Sequence, residues 1–148
     1  MPIYRNINNQ PIILGSDHAG FNLKELIKKY LTRKGKKVLD LGTNSTNSVD
    51  YPLYAHLLAK KINKNKQFGI LVCGSGIGMT ITANKYKNIR AALCHNVKVA
   101  KLSRKHNNAN VITIGARLTT KNVALKCIDI FIKTKFDGGR HLRRIKKI

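Results

Sequence analysis

The chain has no tryptophan and very little negative charge. Six of its 148 residues are acidic: Asp17, Glu25, Asp40, Asp50, Asp129 and Asp137. None lies between Asp50 and Asp129. Acid–base chemistry in that long stretch must therefore use a thiol, an imidazole, a hydroxyl or a distant carboxylate. Three cysteines, Cys73, Cys94 and Cys127, are an odd number at wide spacing. They make neither a disulfide framework nor a zinc ligand set, so no metal is expected and a reducing, cytoplasmic setting fits. No apolar run approaches the roughly 20 residues that span a bilayer. The opening MPIYRNINNQ lacks the apolar core of a signal peptide, so no membrane partner is expected. Four phenylalanines and five tyrosines leave few platforms on which single-stranded bases would stack.

Positive charge is abundant. Lysine and arginine number 29, for a net charge of +23. Such a balance points first to nucleic acid. The lysines are scattered, however, as in LIKKYLTRKGKK and AKKINKNK, at positions that suit helix surfaces. Lysine, asparagine and isoleucine are also what an A/T-rich coding sequence favours. Nucleic acid is thus not the expected partner, and a field that draws in a small phosphorylated substrate suits the charge better.

The length suits one domain, residues 1–148, with 1–10 as an N-terminal extension and 136–148 as a basic C-terminal tail. Short apolar runs alternate with helical periodicity. PIILG (11–15), KVLDLG (37–42), FGILVC (68–73), AALCH (91–95) and VITIG (111–115) read as five strands. Helices are expected over 20–34, from Pro52 through Ile62, from Gly78 to about Tyr86, between the fourth and fifth strands, and over 121–135. Alternation of this kind implies an α/β fold, a parallel sheet covered on both faces. Ligands then bind at the carboxyl ends of the strands. Ser16-Asp17-His18, the loop through Tyr51, and the Cys73–Gly78 loop all fall at that edge.

In Cys73-Gly74-Ser75-Gly76-Ile77-Gly78, glycines allow backbone N–H groups to turn inward around an anion, and the helix that follows adds its positive end. The same field would favour a reactive thiolate at Cys73, a nucleophile or a general base. A buried structural cysteine before a tight turn is the competing reading. Dinucleotide binding is disfavoured: the spacing is G-x-G-x-G, and no acid follows before Asp129. A cysteine phosphatase would close its loop with an arginine where this chain has Met79. Asp17-His18 can bind sugar hydroxyls or simply cap a helix. Arg117 follows the fifth strand, and Arg140 and Arg144, four apart, either clamp a phosphate from one helical face or belong to a solvated basic tail.

The stretches GSDHAGFNLKE, VLDLGTNS…SVDYP, GILVCGSGIGM, ANKYKNIRAALCH, HNNANVITIGAR and FDGGRHLRRI span about residues 11–148. Together they resemble the type B ribose-5-phosphate isomerases and the related galactose-6-phosphate and allose-6-phosphate isomerases. The resemblance implies a single Rossmann-like α/β/α sandwich with a five-stranded parallel sheet, aldose–ketose isomerisation without metal or cofactor, and active sites at a homodimer interface, with dimer and tetramer both open. It makes Cys73 the base that moves a proton between C1 and C2, through an enediolate held by the amides of Gly74, Ser75, Gly76, Ile77 and Gly78. Ser75 would relay protons between sugar oxygens, and His106 would open the furanose ring. Asp17, His18, Tyr51 and Asn107 would bind the sugar; Arg117, Arg140 and Arg144 would hold the phosphate, some of these groups coming from the neighbouring chain. The intact SDHAGF and GGRH segments favour a pentose phosphate over a hexose phosphate. Asn96 and Lys105 stand where many relatives carry acids, a change expected to affect the surroundings of His106.

Overall fold

The computed structural model describes residues 10–62 and 67–148. Nearly all of the expected N-terminal extension lies outside the described residues. Five strands form one parallel sheet in the order β2-β1-β3-β5-β4: β1 (Ile12–Ser16), β2 (Val38–Asp40), β3 (Gly69–Cys73), β4 (Ala91–Leu93) and β5 (Val111–Gly115). The helices are α1 (Phe21–Arg33), α2 (Tyr51–Lys61), α3 (Ile77–Ala83), α4 (Val97–Asn107), α5 (Lys121–Lys133) and α6 (Arg140–Ile145). The α/β/α sandwich expected from the alternation is the architecture found.

Strand residues alternate between two cores because side chains in a strand point to opposite faces. Ile12, Leu14, Ile70, Val72, Ile112 and Ile114 join one core with the buried faces of α1 and α5. Ile13, Leu71, Cys73 and Val111 join the other, against α2 and α3. β1, β3 and β5 are buried at every position and are apolar on both faces apart from Ser16 and Thr113. Helix ends follow local chemistry. Gly35, at φ 74°, ends α1; its N–H donates to the Thr32 carbonyl and that of Lys36 to the Leu31 carbonyl. The Thr120 hydroxyl caps α5, and the Asn96 side chain caps α4 by accepting the Val99 N–H at 2.8 Å. Asn96 therefore starts a helix.

Several boundaries differ from the expected ones. The third helix stops at Ala83 instead of near Tyr86. The Asn84 side chain pairs with both backbone groups of Ala91, and this draws the chain out of the helix toward β4. The fourth strand is three residues long, ending at Leu93 before the Asn96 cap. The basic tail is not wholly irregular: Gly138 and Gly139, both at positive φ, turn it into α6, whose residues are all at least partly exposed.

One buried cation is held by this frame. Lys24 is 2% exposed, and its ammonium donates to Asp40 at 2.6 Å and to Glu25 at 2.9 Å. Burial alone would raise the Asp40 carboxyl; hydrogen bonds from Lys24, the Gly42 amide and Lys28 outweigh it and hold Asp40 below the usual carboxylate range. The folded-state pKa is thus depressed. The contribution of the pair is present above about pH 4 and is lost as pH falls through the folded value. Asp40→Asn is expected to destabilise the fold by about 3 kcal/mol at neutral pH and to flatten the acid limb of the stability curve, because it leaves Lys24 buried against a weaker partner. Urea melts of both proteins across the acid range check this; equal melts at pH 7 would remove the pair as a stabiliser.

Candidate active site at the β1–β3 crevice

The strand order reverses between β1 and β3. The chain leaves β1 for β2 on one side, while β3 pairs with β5 on the other. In open parallel sheets this opens a crevice at the carboxyl ends. Ser16 is in register with Val72, so the segments that follow both strands emerge side by side.

From β1 come Asp17 and His18. Asp17 is buried, and its carboxylate accepts the Gly20 N–H at 3.0 Å. His18 Nδ1 accepts the Val49 N–H at 3.1 Å, which leaves Nε2 to carry the hydrogen of the neutral ring. That bond also ties down the polar loop leading to Tyr51. From β3 comes Cys73, 4% exposed, whose Sγ accepts the Gly76 N–H at 3.1 Å. An amide hydrogen aimed at sulfur stabilises negative charge there. Gly76 sits at φ 79°, and a Cβ at this position would lie 2.6 Å from Leu93 and 3.0 Å from the Gly115 nitrogen. The loop lies directly on the end of β5: a Cβ on Gly115 would approach the Ser75 carbonyl oxygen to 2.5 Å. Ser75 Oγ accepts the Ile77 N–H at 3.2 Å. After β5, Arg117 donates its N–H to the Gly74 carbonyl at 3.0 Å. Its guanidinium lies beside Gly74.

Asp17, His18, Tyr51, Cys73, Gly74, Ser75, Ile77, Gly78 and Arg117 line one open cleft of about 560 Å³. Gly76 contributes its amide from beneath. The remaining expected residues are elsewhere. His106, Asn107 and Arg144 line a second cavity of about 420 Å³, between α4 and α6, and Arg140 begins α6. One chain does not gather all the expected residues.

Sequence reasoning assigned His141 no role. Its ring stacks on His106 with centroids 4.3 Å apart and planes 11° from parallel. Partial burial, then the neighbouring His106, Arg140 and Arg144, push its pKa down, with Asp137 opposing. Its position four residues after Asp137 was the available signal. Lys105 engages the tail: its ammonium is 3.4 Å from Asp137, and its carbonyl accepts the Asp137 N–H at 3.0 Å. The other two cysteines are buried thiols; burial pushes Cys94 up to about 12 and raises Cys127. His56 pairs with the Tyr86 hydroxyl at 2.7 Å, a packing role. Among the described residues, no helix is long and apolar enough to cross a membrane.

This arrangement, a thiol-headed glycine loop beside an Asp-His turn, coincides with a family match. The model described as Ribose/Galactose Isomerase matches residues 12–148. The chain belongs to that family. A probable ribose-5-phosphate isomerase B of Mycoplasma genitalium is 46% identical over 140 residues, covering 93% of this chain and 92% of the relative. Among solved structures, a ribose 5-phosphate isomerase from Thermotoga maritima is 51% identical, with a TM-score of 0.90 over 94% of this chain and 97% of its own. The ribose-5-phosphate isomerase B of Mycoplasma genitalium with bound ribulose-5-phosphate superposes with a TM-score of 0.90 at 44% identity, covering 93% of this chain and 92% of that one.

In this family member the Tyr51 ring lies against Gly78, where an added Cβ would come within 2.4 Å of the ring. Gly78→Ala is expected to displace Tyr51 and widen the cleft. The loss in kcat/KM should be about 10²-fold, as for other misplacements on the order of 1 Å, with the fold retained. Kinetics beside circular dichroism checks this; unchanged kcat/KM would mean that the Tyr51–Gly78 contact does not shape the cleft.

Proposed function

We propose that this protein interconverts ribose 5-phosphate and ribulose 5-phosphate, and that a second copy of the chain completes each active site. The observation that carries the reading is the Cys73 sulfur at the mouth of β3, receiving the Gly76 amide and facing the cleft shared with Asp17, His18 and Tyr51. The Cys73 thiolate takes the proton from C2 of the open-chain aldose. The electron pair forms the C1–C2 double bond of an enediolate as the C1 carbonyl becomes an oxyanion facing the loop amides. Ser75 shuttles the hydroxyl proton between O2 and O1, and the thiol returns its proton to C1 to give the ketose. Asp17, His18 and Tyr51 hold the sugar, and the resident Arg117 faces the phosphate. One isomerase domain is proposed for residues 1–148, of which the family model matches 12–148.

Two features support a shared site. His106, Asn107 and Arg144 line a cavity separate from the Cys73 cleft, so ring opening and phosphate clamping need these residues, with Arg140, from another copy. Ile77 and Ile81 of the cleft lining, and Leu53 and Leu57 on the neighbouring helix α2, are exposed apolar side chains that a second copy would cover. Leu53 and Leu57 lie one turn apart on α2, as do Ile77 and Ile81 on α3, at 54, 42, 51 and 58% exposure. A homodimer that covers this face would supply both missing components.

Turnover of ribose 5-phosphate is expected to fall about 10²–10⁴-fold in Cys73→Ala, the usual contribution of a positioned base. Arg140→Ala should mainly raise KM. A Cys73→Ala enzyme with near-normal kcat would remove Cys73 as the base, and turnover of galactose 6-phosphate or allose 6-phosphate alone would move the substrate to a hexose. The shared site has its own test. Cys73→Ala and His106→Ala chains, each nearly inactive, should regain activity when co-expressed, because one of the two sites in a mixed dimer then carries both native groups. Mixed dimers that form and stay inactive would place each site within one chain.

A further inference from the structure

We infer that His106, Asp137 and His141 form a binding site for a borderline transition-metal dication, Zn²⁺ above all, which competes with the isomerase reaction. One ligand atom from each of the three residues lies within 4.8 Å of the other two. A tetrahedral zinc site with bonds of about 2.0–2.2 Å places its ligand atoms roughly 3.4 Å apart. Side-chain rotation of the half-exposed groups covers that difference. The backbone already brings the three together. The Asp137 N–H is held by the Lys105 carbonyl at 3.0 Å, one residue before His106 in the last turn of α4. Gly138 and Gly139, both at positive φ, reverse the chain, and the His141 N–H returns to the Gly138 carbonyl at 3.0 Å. The turn thus presents a carboxylate and an imidazole to the end of α4, where the His106 ring already stacks on His141.

The donor set, two imidazoles and one carboxylate, selects the metal, and must outweigh the positive charge around it. Lys105, Arg140 and Arg144 face it, and the cluster holds a single carboxylate. A hard dication such as Ca²⁺ or Mg²⁺ requires a shell of oxygens, which this neighbourhood cannot provide. Zn²⁺, Ni²⁺ and Cu²⁺ bind imidazole strongly, and two imidazoles with one carboxylate leave a fourth position open. Binding occupies the His106 lone pair, so the metal withdraws the group that opens the sugar ring. This inhibitory consequence rests on the proposed function; the binding itself does not.

The experiment titrates the full-length protein with Co²⁺ as a coloured stand-in and then displaces it with Zn²⁺. Visible d–d bands should rise to one equivalent per chain, with no thiolate-to-metal charge-transfer band in the near ultraviolet. Affinity should fall by about tenfold or more in Asp137→Asn and in His141→Phe, which keeps the ring stack but removes the nitrogens, and should be unchanged in Cys73→Ser. Zn²⁺ should slow ribose 5-phosphate turnover in the native protein, while Asp137→Asn, active without metal, should resist it. Absence of Co²⁺ binding, equal affinity in Asp137→Asn and His141→Phe, or a thiolate band that disappears in Cys73→Ser would each overturn the site. If the protein fails to isomerise sugar phosphates, the Co²⁺ spectra still decide the metal site, and the two readings fail separately.

Discussion

The parallel pairing of β1 with β3 is the constraint on which the active region depends. Ser16 and Val72 are partners at its last rung, so the Asp17-His18 turn and the Cys73 loop leave the sheet together. The next pairing sets the depth of the loop. Cys73 is in register with Gly115, and Gly115 lets the Ser75 backbone rest on β5 where any side chain would collide with it. A slip of one residue in either ladder would turn Cys73 from the α2–α3 face to the opposite core, since side-chain direction alternates at each residue. Burial of these strands on both faces makes such a slip costly, because it would exchange two fitted sets of apolar side chains at once.

The scarcity of acids shapes the chemistry in the same way that the ladders shape the geometry. Glu25 and Asp40 hold Lys24, Asp129 holds Lys34 and Tyr30, and Asp137 holds Lys105. These carboxylates serve the frame. The cleft is left with Asp17, which is engaged by the Gly20 amide, and with no other carboxylate among its lining residues. With Asp17 engaged by the Gly20 amide and His18 Nδ1 by the Val49 amide, the Cys73 thiol is the group proposed to accept a carbon-bound proton there. A cleft short of negative charge in a chain of net charge +23 also suits a dianionic sugar phosphate, whose own charge is the largest in the site.

The buried strands were legible because a doubly covered sheet demands continuous apolar runs, and IILGS, GILVC and VITIG are such runs. The Cys73 loop was legible as a place of unusual backbone, and the resemblance supplied the roles that spacing alone left open between structural cysteine and base. The elements misread depend on contacts rather than periodicity. The third helix ends early because the Asn84 side chain reaches Ala91, a bond to a later strand that no local pattern announces. The helix in the tail has no buried residue and so no apolar stripe, and only the four-residue spacing of Arg140 and Arg144 pointed to it. The division of the expected residues between two cavities is likewise a matter of where α4 and α6 pack, which residue identity does not encode.

That division makes association part of the proposed chemistry. The Cys73 cleft holds the proposed base, the loop amides and the Asp17-His18 turn at strand ends, whereas the groups proposed for ring opening and phosphate clamping lie on α4 and α6. Separation of this kind lets one interface serve two purposes. Covering the apolar turns of α2 and α3 removes surface that would otherwise promote aggregation, and the same approach carries a second chain's His106 and arginines toward the open side of the cleft. In the proposed mechanism, the Cys73 cleft of a lone chain holds the thiol without His106, so ring opening would wait for the second copy. In the same proposed mechanism, a second copy would cover the thiol, exclude water and bring the acid and the base together in one step.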